Sequence, residues 1–108
     1  METNPYKASE FIFDNAEQYA KAYSRRVALE HYIKAEKSVQ MIASNQPSIS
    51  GKEMEAQASK GFSAKVAELE DAAYKEKLYY NQIKAKELEI EIYRTESANN
   101  RTIDRAVR

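Results

Sequence analysis

Residues 45–61, NQPSISGKEMEAQASKG, hold Pro47, Gly51 and Gly61, three of the four helix-breaking residues in the chain. The fourth is Pro5, so residues 6–46 and 62–108 contain neither glycine nor proline. These two residue types interrupt helices most reliably. A chain punctuated once, near its middle, reads as two long helices folded back on each other. The expectation is an all-α, long antiparallel helical hairpin, coiled-coil-like, forming one domain over residues 1–108. Its long helices are placed at 6–44 and 62–105, about equal in length, which would bring the two chain ends together.

Local signals set these bounds. Asn4 followed by Pro5 is a helix start, a capping side chain and then a proline whose missing N–H costs nothing at the first position. Ser50 with Glu53 reads as a capping box and places a short connecting helix at 51–59. Lys60 and Gly61 then break the chain again before the second long helix. Phe13, Ala16, Ala20, Tyr23 and Val27 recur at three- and four-residue steps as one face, continued by Leu29, Tyr32, Ile33, Val39 and Ile42. Phe62, Val66, Leu69, Ala73, Tyr80, Ile83 and Ile90 give the matching stripe on the second helix, with Leu88 and Ile92 beside it.

Sixteen alanines and many Glu, Lys and Gln residues favour helix, while Ile, Leu, Val, Phe and Met number only 22 in 108 residues. Such a core is thin. Runs such as Phe11, Ile12 and Phe13 also exceed a single seam, so a homo-oligomer, most simply a dimer with a four-helix core, is expected to complete it. No apolar run approaches the ~20 residues of a membrane span. No signal-peptide pattern opens the chain and no cysteine occurs, which fits a cytoplasmic protein without membrane partners.

Catalytic chemistry has little to build on, and no enzyme, cofactor or metal is expected. There is one histidine, His31, and two isolated glycines cannot form a phosphate loop. Glu87 and Glu91 share a helical face, but no Glu-x-x-His accompanies them as a di-iron bundle requires. Eight tyrosines and no tryptophan suit base stacking or protein interfaces, or simply a wide amphipathic core filler. The C-terminal segment is the best candidate site. Arg94, Arg101, Arg105 and Arg108 project within roughly a 60° sector at about 100° per residue, with Ile92, Ile103 and Val107 opposite, toward whatever the helix packs on. Lysine is absent after Lys86, and arginine is the preferred partner of phosphate and of carboxylate pairs. The alternative is a solvated face offset by Glu96 and Asp104.

The stretch EIEIYRTESANNRTIDRAVR resembles small, mostly uncharacterised helical proteins of tailed bacteriophages, encoded among recombination, single-strand-binding and replication genes. The shared core is Ile-Glu-x-aromatic-Arg-[Ser/Thr], here Ile90 to Thr95, followed by Ala98 and Arg101. Upstream, YIKAEKSVQMI and EMEAQAS keep a similar order before a long charged helix. That group more often carries tryptophan at the place of Tyr93, and proline near the connector where Gly61 stands. The resemblance implies a phage origin, in the cytoplasm of an infected host, and a non-enzymatic role near DNA metabolism. Single-stranded DNA, or a recombination protein on it, is then the expected partner of the arginine ridge. A small inhibitor of a host nuclease or defence complex, acting by protein contact, is the alternative. Net charge is zero, unlike a dedicated DNA coater.

Overall fold

A computed structural model describes residues 4–107. It contains three helices in the order α1 (Pro5–Ala43), α2 (Ile49–Gln57) and α3 (Lys60–Val107), and no strand among the described residues. The fold is the all-α helical hairpin with a short connecting helix, and α3 at 48 residues is longer than α1 at 39. The two long helices are therefore not matched in length.

Serines, rather than glycines, make the joints. Asn4 caps α1 as expected, its Oδ1 accepting from the backbone N–H groups of Tyr6 and Lys7 at 3.1 Å. The cap of α2 is Ser48, not Ser50: Ser48 Oγ accepts from Gly51 N at 3.0 Å, so α2 begins two residues earlier and has no capping box. Ser59 then serves two helices. Its hydroxyl donates to the Ala56 carbonyl at 2.7 Å, closing α2, and accepts from Phe62 N at 3.2 Å, opening α3. Gly51 and Gly61 both lie inside helices with negative φ, so neither acts as a breaker. A Cβ at Gly61 would meet the Glu36 carboxylate, the movable end of a flexible side chain, which lies over the first turn of α3. A carboxylate is favourable at that positive end of the helix dipole.

The described chain packs as two compact units, residues 20–76 and residues 4–19 with 77–107. In the first of these, α1 and α3 run antiparallel, as the ion pairs Arg25–Glu68 (3.2 Å) and Arg26–Glu76 and the Lys65 ammonium over the Tyr32 ring (5.9 Å) require. Leu29, Ala56 and Ala72 are buried there, with α2 supplying Ala56. Arg26 enters the packed face, held by Glu76 across the helices and by Glu30 one turn on. These hydrogen bonds, that to Glu76 foremost, raise the already high pKa of the guanidinium. In the other unit Lys86 sits over the Phe11 ring (5.5 Å) and the Tyr19 and Tyr80 rings meet at 6.2 Å, again antiparallel. Only Ala8 is fully buried in that unit among the described residues.

The packed faces match the apolar stripes read in the sequence in part: Val27, Leu29 and Ile33 on α1 and Phe62, Leu69, Ala73, Ile83 and Ile90 on α3 are covered. Ala8, Ile12, Asn15, Tyr19, Ala22, Arg26, Leu29, Ile33, Glu36 and Gln40 form a line of covered positions on α1, alternating four and three residues apart, with Phe11, Val27, Ala28, Lys37 and Met41 half-covered beside it. That is the 3.5-residue period of a strict seam. On α3 the same steps pick out Phe62, Lys65, Leu69, Ala72, Glu76, Tyr79, Ile83, Lys86 and Ile90. Phe13, Tyr23, Tyr32, Val39 and Ile42 are instead exposed, as are Val66, Tyr80, Leu88 and Ile92. Small and polar side chains share the seam with Ile12, Tyr19, Leu29, Ile33, Phe62, Leu69, Tyr79, Ile83 and Ile90, while other large apolar ones flank it.

Candidate nucleic-acid or partner interface

The arginine ridge lies on the part of α3 that α1 does not reach. The Phe11–Lys86 and Tyr19–Tyr80 contacts fix the register: each step back along α1 is a step forward along α3. Pro5, the first residue of α1, then falls level with residues 92–94. Beyond that point no described residue lies opposite α3, and residues 98–106 are all exposed. Helix 95–107 is thus an unaccompanied extension of about 20 Å at 1.5 Å per residue.

Within the extension the face that had been packed changes chemistry. Ile83 and Ile90, half-buried against α1, project into the same roughly 60° sector as Arg94, Arg101 and Arg105 at about 100° per residue. The apolar seam line runs on as arginine once its partner helix has ended. Arg94, Arg101 and Arg105 are exposed, and none is in an ion pair among the described residues. Arg101 Nε donates to the Ser97 carbonyl one turn back at 3.3 Å, which lays that side chain along the helix. Glu96 and Asp104 do not neutralise them among the described residues. Arg108 lies outside the described residues. Ile92 and Ile103 do project opposite the ridge, but that face is not the one packed on α1. They are 43% and 59% exposed.

Upstream on the same flank stands a group not singled out in the sequence. The Tyr80 ring is bracketed by the ammonium groups of Lys77 and Lys84, 5.0 and 5.6 Å from its centre. The signal was Lys-x-x-Tyr-x-x-x-Lys, since residues three before and four after Tyr80 flank it on a helix. Lys84 also donates to Glu87 at 3.1 Å, and this hydrogen bond and the charge of Glu87 raise its pKa above the ordinary 10.5. Tyr19, Tyr80, Ile83, Lys84 and Glu87 line a shallow open groove of about 210 Å³. Of the eight tyrosines, only Tyr19 and Tyr79 are half-buried; the other six are exposed.

The candidate acid–base residues are not brought together. His31 is exposed on α1, Glu87 is tied to Lys84, and Glu89 to Lys86 at 3.2 Å. No group of three or more His, Cys, Asp or Glu side chains stands close enough to hold a metal ion among the described residues. Likewise no helix among them is long and apolar enough to cross a membrane. Comparison with protein-family models, curated proteins and solved structures finds no match for this chain.

Proposed function

We propose that this is a non-enzymatic phage accessory protein of DNA recombination or replication, which binds single-stranded DNA, or a recombination protein already on it, through Arg94, Arg101, Arg105 and Arg108. The supporting observation is the change of chemistry along α3: the seam line becomes a row of exposed, unneutralised arginines where α1 ends. Guanidinium groups at that spacing can each meet a phosphate oxygen with two N–H donors. Tyr80 between two lysines, on the same flank, adds a half-open ring beside positive charge.

Fluorescence anisotropy with a labelled oligonucleotide, titrated over salt, tests this. Wild-type protein should bind at low salt and weaken as salt rises, because phosphate contacts release counterions. Changing Arg101 and Arg105 together to Ala should flatten the slope by about 1.4, two contacts at about 0.7 each on a single strand. Absence of wild-type binding at low salt discards the DNA arm of the proposal. The inhibitor reading is favoured by a different observation, zero net charge combined with large exposed side chains such as Tyr6 (84%) and Phe13 (83%). Capture of a host nuclease or defence protein, lost in the same double variant although no DNA is bound, would select it.

A further inference from the structure

Residues 95–107 carry α3 beyond the stretch that α1 accompanies, and the composition of the helix changes there. Eight of these thirteen residues, among them Thr95, Asn99, Asn100 and Thr102, are weak helix formers, whereas residues 82–94 hold four. Lys84–Glu87 (3.1 Å) and Lys86–Glu89 (3.2 Å) brace that earlier stretch, but no ion pair joins side chains of 95–107 among the described residues. Arg101 and Arg105 stand four apart, a like-charge spacing that weakens a helix. The Thr95 and Thr102 hydroxyls donate to the Glu91 and Ala98 carbonyls one turn back, at 3.1 and 3.0 Å. Such bonds slightly destabilise the helix that holds them. A helix already running needs no nucleus, so its end is set residue by residue. Good formers propagate it by a factor of about 1–1.6 near 0 °C, and weak ones by less.

We infer that residues 95–107 interconvert between helix and coil in the free chain, and that a single strand of DNA seated on the arginine ridge holds them helical. The partner rests on the proposed function; the helix–coil balance does not. With neither packing nor ion pairs to add to weak propensity, the unbound segment unwinds back toward Arg94, where α1 begins to accompany α3. A phosphate between Arg101 and Arg105 replaces their repulsion with charged hydrogen bonds. Only the helix gathers Arg94, Arg101 and Arg105 into one roughly 60° sector at about 100° per residue. The strand therefore favours the helical form by that difference in contacts. Apparent affinity is then the affinity of the ordered ridge multiplied by the fraction ordered. Helix propensity at positions that touch no phosphate thus tunes binding. Asn99 and Asn100 are such positions, each projecting well over a right angle from the ridge.

Backbone Cα chemical shifts of the full chain read the helical fraction residue by residue. Without ligand, residues 98–107 should average below about half of the full helical shift, while residues 79–90 should reach it. Saturating oligothymidylate should bring both stretches to the full value. Asn99→Ala with Asn100→Ala should raise the helical fraction of the free segment and tighten oligothymidylate binding about fivefold. The salt slope should stay as in wild type, because no phosphate contact is altered. Full helical shifts in the free chain overturn the inference. So does oligothymidylate bound while 98–107 stay unwound, or an alanine variant that binds no tighter. Anisotropy separates these failures from that of the proposed function. Bound DNA without ordering removes only the coupling, whereas no binding at low salt removes the coupling and the DNA reading together.

Discussion

Residues 20–76 and the unit formed by residues 4–19 with 77–107 are built from the same two helices, yet they are held differently. In the first, α2 adds a third element, and Leu29, Ala56 and Ala72 are buried, Ala56 on α2 itself. Arg26, Glu30 and Glu76 link the helices there through charged hydrogen bonds. In the second, two helices have only each other, Ala8 is the one fully buried residue described, and α3 outlasts its partner. Burial of apolar surface is the main stabilising term in folding. The three-helix unit is therefore expected to hold more of the stability, while both units leave large apolar side chains exposed.

The largest expected effect strikes the three-helix unit. Leu29 is 0% exposed, so Leu29→Ala should cost about 2–5 kcal/mol. Urea unfolding would measure it, and a loss under about 1 kcal/mol would show that the unit is not where the stability resides. Next comes Ser48→Ala, which removes the cap of α2; about 1 kcal/mol is expected. Native-state hydrogen exchange should localise that loss to residues 49–57 rather than to the other unit. The same exchange experiment sharpens the contrast directly. Amides of 96–107 should open at a free-energy cost near zero in isolated chains, and those around Leu29 only with global unfolding.

Smaller effects belong to the charged flank. Replacing Arg101 and Arg105 by Ala should shift stability by no more than about 0.5 kcal/mol, because both are exposed; thermal melts beside the binding titration would check it. Least of all is Lys84. Its pKa is raised in the folded chain by Glu87, so its contribution is whole below the ordinary 10.5 and fades as pH rises past it. Lys84→Met should differ from wild type by the same small amount of melting temperature from about pH 6 to about pH 9, below the ordinary lysine range, and the difference should shrink only as pH passes above 10.5. A difference that grew with pH would mean that the Lys84–Glu87 pair is not what holds the proton.

Much of the fold was legible because it rests on local chemistry. The scarcity of glycine and proline, the Asn4–Pro5 start and the Pro47 stop act over a few residues and need no partner. The α2 boundary moved because two serines, Ser48 and Ser50, offered the same cap, and only the backbone path chose between them. The ridge of Arg94, Arg101 and Arg105 was readable as a sector of one helix. Its continuation of the Ile83–Ile90 line was not, since that depends on where α1 stops relative to α3.

Sequence alone determined that this chain is helical, where it bends, and which residues share each helical face. Tertiary structure decided which face became the seam. A helix drifts about 20° per heptad against a strict 3.5-residue line, so broad apolar arcs leave several seams available. The seam line holds Ala8, Ala22 and Ala72, and Arg26 and Glu76 on it satisfy each other. The larger side chains Phe13, Leu88 and Ile92 were left outside it.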